Sequence, residues 1–349
     1  MDAQDMKVGP EGAPARPLVT FALFAYNQEK YIREAVEGAF SQTYGPLEII
    51  LSDDCSADRT FEIMQEMAAA YKGLHRVISV QQSKNLGIID HVLAVASLAE
   101  GELIIVAAGD DISLPSRTEA VASAWLHSGA TALYSGWIVM DDQGIEQETV
   151  TQYFPMKKIQ ELFNGVSCAR RYNGMVRNIP GLSAAYARSF LRTIPPCNLG
   201  ANNEDALTTV MANVTGGHIE SIASALIKYR QSDDSISPHS RGTSFSSLKT
   251  DMSKIVRFSS SSIGFYDYLF NIIDNMETRP SGWSILKANL LQMQREMLFV
   301  KKTSEGNIIT NIALLLECRR FREYKIVLAR LFGVNFLVFL KWAIKNVPI

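Results

Sequence analysis

Hydrophobic positions along the first 140 residues fall alternately in unbroken runs and at helical spacing. Leu18-Val19-Thr20-Phe21-Ala22-Leu23-Phe24-Ala25 is dense in apolar and β-favouring residues, the pattern of a strand buried on both faces. After the loop Tyr26-Asn27-Gln28-Glu29, the residues Ile32, Ala35, Val36, Ala39 and Phe40 recur every three or four positions with Arg33, Glu34 and Glu37 between them. That spacing predicts a helix with one face on a sheet. The unit repeats with a strand over 47–51, a loop over 52–58, and a helix whose face carries Phe61, Met64, Met67, Ala68 and Tyr71 and which Gly73 is expected to end. A strand over 77–80, a helical run over 88–99, an apolar strand from Leu103, a helix over 115–127 and a strand through Leu133, Tyr134, Trp137 and Val139 follow. Alternation with short connections predicts a doubly wound α/β layer, a mostly parallel sheet flanked by helices.

From about residue 141 the rhythm weakens into long loop-like segments before Gly181-Leu182-Ser183-Ala184-Ala185-Tyr186. Two polar clusters stand out, Asn202-Asn203-Glu204-Asp205 ahead of an apolar run and Lys228-Tyr229-Arg230-Gln231-Ser232-Asp233-Asp234-Ser235-Ile236-Ser237. Beyond Ser237 a Ser-rich linker leads to a helical C-terminal region over 241–349. Its last 49 residues hold nine Lys or Arg and three Glu, and they end in a short apolar run that Lys341 interrupts. The run is shorter than the ~20 residues a membrane span needs. An amphipathic helix in the membrane interface, with Trp342 at the boundary, and a helix docked on the catalytic domain fit the pattern equally.

With 349 residues and 47% hydrophobic content the chain can bury a full core. Its net charge of −2 gives no reason to expect a nucleic-acid partner. Cys55, Cys168, Cys197 and Cys318 form no CxxC pair and no zinc-ligand spacing, so they read as reduced thiols of a cytoplasmic protein. Residues 1–17 lack the apolar core of a signal peptide and read as a disordered leader.

The chemistry is suggested by carboxylates at strand ends. Gly109-Asp110-Asp111 follows the apolar run Leu103-Ile104-Ile105-Val106-Ala107-Ala108, and Ser52-Asp53-Asp54 follows Leu47-Glu48-Ile49-Ile50-Leu51. Sites in a parallel sheet form at the carboxyl ends of strands, so the two pairs are expected to meet at one edge, where aspartate oxygens suit a hard divalent cation. Either pair alone fits a turn or a helix cap. No GxGxxG or GxxxxGK[ST] loop is present to support a Rossmann dehydrogenase or a P-loop enzyme.

Taken in order, these segments resemble the family-two glycosyltransferases, the inverting group that moves a sugar from a nucleotide diphosphate on a GT-A fold. The resemblance covers about residues 18–240. It rests on Val19-Thr20, Ala25-Tyr26-Asn27-Gln28-Glu29, Tyr31-Ile32, Ser41-Gln42-Thr43-Tyr44, the run from Glu48 to Thr60, Asn85-Leu86-Gly87 and Glu100-Gly101-Glu102. It implies a nucleotide-sugar half over 18–140 and an acceptor-side half over 141–240. By the same resemblance Ala25, Tyr26, Glu29 and Asn85 line the nucleotide pocket, with Tyr26 against the base and Asp54 accepting a hydrogen bond from it. Asp110 and Asp111 hold Mn2+ or Mg2+, one of the two also reaching the ribose. Asp205 is the implied base with Glu204 beside it, and Tyr229-Arg230 with Ser235-Ile236-Ser237 matches a loop over the donor diphosphate.

Two positions depart from the family. Ala108 stands where many members carry an acidic residue, and Ser232 stands where a histidine often follows the Tyr-Arg pair; His239 is the nearest replacement. Asp53 is expected to cap the turn after it. Gly181-Leu182-Ser183 lacks the second glycine of a nucleophile elbow and reads as acceptor-side framework. The expected function is a sugar transferase of cell-surface polysaccharide synthesis. It would use a UDP- or dTDP-linked donor and a glycan or lipid-linked acceptor, and act in the cytoplasm or peripherally on the inner face of the membrane. A non-catalytic nucleotide- or sugar-binding protein that kept the fold is the alternative. A nucleotidyltransferase is disfavoured, because Ala25-Tyr26-Asn27-Gln28 is no Gly-rich basic loop.

Overall fold

A computed structural model describes residues 16–151, 162–163, 166, 179–198, 204–231, 264–277, 279 and 282–305. The chain divides into two compact units, residues 1–232 with 276–281, and residues 233–275 with 282–349. The expected boundary at 240 lies outside the described residues. So do residues 1–15 of the leader, Ser232, Ser235 to Ser237, His239, the Ser-rich linker and 306–349 of the tail.

In the first unit β1 (Val19–Ala25), β2 (Leu47–Asp53), β3 (Arg76–Gln81) and β4 (Leu103–Ala108) alternate with α1 (Ile32–Phe40), α2 (Thr60–Ala70) and α3 (Ile88–Leu98). Then come β5 (Ile112–Ser113), α4 (Arg117–Ser128), β6 (Ala132–Met140), β7 (Glu146–Val150), a 3-10 turn (Gly181–Ser183), β8 (Ala184–Ala187), α5 (Arg188–Leu191), α6 (Glu204–Val214) and β9 (Ile219–Arg230).

The described strands form one nine-stranded sheet, ordered β3-β2-β1-β4-β8-β6-β9-β5, with β7 paired to β6. The strands β3, β2, β1 and β4 are parallel. β8 then enters antiparallel between β4 and β6. Strand order reverses between β1 and β4, and an open α/β sheet binds ligands at the carboxyl side of such a point.

Side chains alternate faces along a strand, and both faces of β1 are covered. Phe21, Leu23, Ile49, Leu51, Leu103 and Ile105 pack with Ile32, Val36 and Ala39 of α1, Met64 of α2 and Val121 of α4. Phe24, on the opposite face, meets His91 of α3 edge to face at 4.9 Å. Each such fully buried apolar side chain contributes about 1.5–3 kcal/mol, so the first four strands form a rigid platform.

The sheet is mostly parallel and flanked by helices, as the periodicity implied. The details differ in three places. α2 ends at Ala70, because Tyr71 turns extended (φ −63°, ψ 131°), so Gly73 does not end it. The expected leader reaches 17, but Arg16 pairs with Glu119 at 2.5 Å and lies 4.1 Å over the Tyr44 ring. The loop-like stretch after 141 holds β7, and β8 lies in the segment that follows it from Gly181. β7 is nearly all exposed and β8 has four residues, so neither carries a legible apolar pattern.

The second unit contains a helix over 264–274 (α7) and α8 (Trp283–Glu305). Trp283 Nε1 and Lys287 Nζ of α8 donate to the two carboxylate oxygens of Asp274, at 3.0 and 2.5 Å. Gln294 Nε2 donates to Asp267 at 2.7 Å. No helix among the described residues is long and apolar enough to cross a membrane.

Candidate active site

Register brings the ends of three strands level. Ala25 pairs with Asp53, and Phe24 with Ala108, so the loops beginning at Tyr26, Asp54 and Gly109 leave the sheet side by side. The first two loops are bonded to each other. Asn27 N donates to Ser56 Oγ at 2.8 Å, and Asn27 Oδ1 accepts from Ala57 N at 2.8 Å. Gln28 N donates to Thr60 Oγ1 (2.7 Å), Glu29 N to Asp58 Oδ2 (3.1 Å), and Arg59 N to Glu29 Oε2 (3.0 Å). Glu29 therefore commits one carboxylate oxygen to the start of α2, while the Tyr26 ring stands 48% exposed above the edge.

Asp54 accepts Leu86 N at 2.8 Å on one oxygen and Gly87 N at 2.9 Å on the other. Each oxygen keeps a second lone pair. Asn85 Oδ1 accepts Gly87 N at 3.2 Å, so the Asn85-Leu86-Gly87 segment is folded around the Asp54 carboxylate. Asp53 makes the turn-capping contacts expected of it. It accepts Ser56 N at 2.9 Å and the Ser56 hydroxyl, and it takes Gln81 Nε2 at 3.0 Å.

Asp110 and Asp111 follow β4. Asp111 is 5% exposed and Asp110 is half-buried. Burial raises both carboxyls, Asp111 well above the ordinary range, and the adjacent Asp110 charge raises Asp111 further. The charge of Arg230 opposes the shift at both, Gln28 hydrogen-bonds Asp110, and Arg230 N bonds Asp111 Oδ1 at 2.9 Å. This is a strand-end pair of oxygen donors whose neighbouring cations, Arg230 and Arg117, oppose the shift that burial imposes.

Arg230 was expected over the diphosphate, and the fold puts its guanidinium inside the edge, 2% exposed. Nε donates to Asp110 O at 3.0 Å, Nη1 to Asp142 O at 3.3 Å and Nη2 to Glu34 Oε2 at 2.7 Å. Its plane lies 4.7 Å over the Tyr31 ring. The Tyr31 hydroxyl and Lys30 Nζ, the latter at 2.6 Å, both donate to the Asp142 carboxylate. Arg230 thus ties the Asp110–Asp111 loop to α1 and to the turn after β6. Below the pair, Arg117 is 1% exposed and donates to Ser113 Oγ (2.9 Å) and Val106 O (2.7 Å). Burial lowers its guanidinium to about 9, against the raising effect of Asp111.

Glu204 and Asp205 open α6, and burial raises both carboxyls, Glu204 also by the charge of Asp205. The antiparallel register of β8 on β4, Ile105 opposite Ala185, sets the preceding turn Gly181–Ser183 beside the carboxyl end of β4. The Glu204 carboxylate lies directly against Gly181 of that turn. Tyr186 of β8 shares a 3.0 Å hydrogen bond with Thr208 of α6, and Ile179 N donates to Thr209 Oγ1 at 3.0 Å. By these ties the acidic pair stands toward the edge that carries Asp110 and Asp111.

Ser52 Oγ lies 2.6 Å from His91 Nε2, yet both side chains are closed to solvent, so the pair is framework. Burial depresses His91 from 6.5 to about 4, with Asp54 and Asp53 opposing. A depressed histidine contributes stability that is complete above pH 6.5. It is lost as pH falls toward 4, because the unfolded chain takes up the proton first. The full window corresponds to on the order of 3 kcal/mol. Urea melts at pH 7 and pH 5 should show a smaller loss in His91→Gln than in wild type, and equal losses would assign the proton uptake elsewhere.

The implied site residues Ala25, Tyr26, Glu29, Asp54, Asn85, Asp110, Asp111 and Arg230 therefore share one edge. Glu34, Asp142, Arg117 and Gly181 were not foreseen as part of it. Asp141-Asp142-Gln143-Gly144 carries a turn signature that could have marked Asp142, since Asp141 Oδ1 accepts Gln143 N and Ile145 N. The other three are defined by contacts distant in sequence. Among the described residues no group of three or more His, Cys, Asp or Glu is arranged to hold a metal.

An open α/β sheet binds its ligands at a switch point such as that between β1 and β4, and here paired carboxylates stand beside it. The sequence model of Glycosyl transferase family 2 matches residues 20–194, and the chain belongs to that family of transferases. It is 33% identical over 141 residues to a Bacillus subtilis protein named as the glycosyltransferase EpsE, covering 40% of this chain and 50% of that one. It is 28% identical over 156 residues to a glycosyltransferase-named protein of Methanocaldococcus jannaschii, covering 44% and 53%. The chain spans about half the length of these two relatives.

Among solved structures, the mannosyltransferase PcManGT of Pyrobaculum calidifontis, in complex with GDP-Man and Mn2+, superposes with a TM-score of 0.51 at 16% identity, over 97% of this chain and 91% of that one. S. aureus TarS 1-349 in complex with UDP-GlcNAc gives 0.50 at 15% identity, over 94% and 91%. At such identity the likeness establishes the GT-A fold.

Proposed function

We propose that the protein is an inverting glycosyltransferase that moves a sugar from a nucleoside-diphosphate donor, UDP- or dTDP-linked by preference, to an acceptor hydroxyl. The observation that carries the reading is the meeting of Tyr26, Asp54 and Asp110–Asp111 at the switch point between β1 and β4. The exposed Tyr26 ring is a platform for the base, and the spare lone pairs of Asp54 suit the N–H of a pyrimidine imide.

Asp110 and Asp111 fit a divalent cation. Two oxygen donors on adjacent residues at a strand end match an ion that takes one or two carboxylates and completes its shell with substrate phosphates and water. When bound, such an ion neutralises the charge that builds on the departing nucleoside diphosphate. Asp205 accepts the proton of the acceptor hydroxyl as its oxygen attacks the anomeric carbon. The bond to the diphosphate breaks with its electron pair leaving on the nucleotide, and a single displacement inverts the centre.

Thermal shift tests this reading. UDP, dTDP, GDP and CMP, each with Mn2+, Mg2+ or chelator, are compared on wild type and Asp111→Ala. Guanosine belongs in the panel because the two structural neighbours carry different nucleotides. A ligand that binds only the folded state raises stability by RT ln(1 + [L]/Kd). One nucleotide is expected to stand out, with metal, in wild type alone; no shift with any would favour a non-catalytic protein.

The acceptor class, a glycan or lipid-linked hydroxyl of cell-surface polysaccharide synthesis, is supported by the basic and apolar sequence of residues 301–349. Removing residues 325–349 should release the protein from anionic liposomes, and undiminished binding would count against it.

A further inference from the structure

We infer that Gly181 is a positioning residue for the acidic pair: the hydrogen at its α-carbon leaves the space in which the Glu204 carboxylate lies. The inference rests on the reading of Glu204 and Asp205 as the proton-accepting pair. A Cβ built on Gly181 would fall 2.4 Å from Glu204 Oε1, 3.1 Å from its Cδ and 3.2 Å from Oε2. These are the three nearest atoms, and all belong to the carboxylate. No backbone atom comes as near, so only the tip of one flexible side chain has to move.

The turn is tied to its surroundings at several points. Ser183 is 1% exposed, donates its hydroxyl to Ser135 O of β6 at 2.9 Å, and its N–H bonds Pro180 O at 3.1 Å. On either side the chain is bonded to α6, through Ile179 N with Thr209 Oγ1 and through the Tyr186 hydroxyl with Thr208 Oγ1. Tyr186 is fully buried. Turn, strand and helix are one rigid piece, so a methyl at 181 displaces the carboxylate and not the scaffold. Glu204 adjoins Asp205, and both half-buried carboxyls are raised by loss of water. Moving one carboxylate therefore alters both the place and the field of the pair.

The test uses the full chain with UDP-glucose, UDP-N-acetylglucosamine and GDP-mannose in Mn2+, reading release of nucleoside diphosphate, together with a crystal structure of Gly181→Ala. That structure is expected to show the Glu204 carboxylate displaced while residues 179–186 and 204–214 superpose on the wild type. Misplacement on the ångström scale should lower kcat by about 10- to 100-fold with donor KM unchanged. In a Glu204→Ala background the same change should cost less than about twofold, since the side chain that a methyl at 181 would displace is gone.

Wild-type kcat in Gly181→Ala, an unmoved carboxylate, or the same loss in both backgrounds would overturn the inference. Undiminished turnover in both Glu204→Gln and Asp205→Asn would instead overturn the reading it rests on. Should Gly181→Ala fail to fold, Gly181→Ala/Glu204→Ala decides: recovery of the fold upholds the contact, and continued failure refutes it.

Discussion

Asp205→Asn is expected to lower kcat by about 10²–10⁴-fold, the usual contribution of a positioned general base, with little change in donor KM. The amide keeps the shape of the carboxylate and its hydrogen bond from Ala206 N, seen at 2.7 Å, but cannot take a proton. An acceptor hydroxyl is nearly un-ionised at neutral pH, so its attack depends on a base acting in the transition state. The pH profile adds a second readout. Both carboxyls of the pair are raised by burial, and the ionised form is the working one, so the acidic limb of kcat in wild type should lie above the ordinary carboxylate range. Full activity in Asp205→Asn would move the base to Glu204 or out of the pair. Stopped-flow or coupled nucleotide-release assays across pH 5–9 separate these cases.

The short segments that mark the family are mostly fastenings between loops. Asn27, Gln28 and Glu29 bond to Ser56, Ala57, Thr60, Asp58 and Arg59, so the first two marked segments are two sides of one joint. Gln42, 3% exposed, donates to Gly38 O and Leu114 O and accepts from Thr118 N and Oγ1, which ties α1 to the start of α4. These residues sit in short segments with a fixed order along the chain, and that order is what a bare sequence displays. The place of Asp110 and Asp111 at a strand end was legible because the apolar run Leu103 to Ala108 stops just before them, and the first strands were legible because both faces are apolar.

The remainder was hidden for physical reasons. The burial of Arg230 could not be read, because an exposed and a buried arginine are written with the same letter. Its burial depends on Glu34, Asp110 and Asp142, which lie between 88 and 196 positions away. β9 pairs with β6 through register shifts near Gly136, and its burial does not alternate, so no period of two marks it. Arg117 has a helical apolar neighbourhood and nothing in its spacing to announce a buried cation beneath two aspartates.

Gly101→Ala should cost stability where Gly181→Ala costs rate, although the letter change is the same. A Cβ on Gly101 would lie 2.4 Å from Thr20 N and 2.7 Å from Val19 C, main-chain atoms of β1 that cannot turn aside. The same crossing holds a buried polar network. Thr20 Oγ1 accepts Gly101 N at 3.0 Å and donates to Glu48 Oε1 at 2.8 Å, and Glu48 also takes Glu100 N at 3.0 Å and Arg76 Nη1 at 3.1 Å. Glu48 is 0% exposed, so widening the crossing would strip partners from a buried carboxylate. Overpacking typically costs about 1–3 kcal/mol, and the loss of these bonds adds to it, so a fall of about 3 kcal/mol or more is expected. Urea melts should show a lower midpoint with the slope unchanged. The crossing lies at the amino edge of the sheet, away from Tyr26, Asp54 and Asp111, so the folded fraction should keep wild-type kcat and KM. A variant that melts normally but turns over slowly would mean that Gly101 serves the site and not the frame.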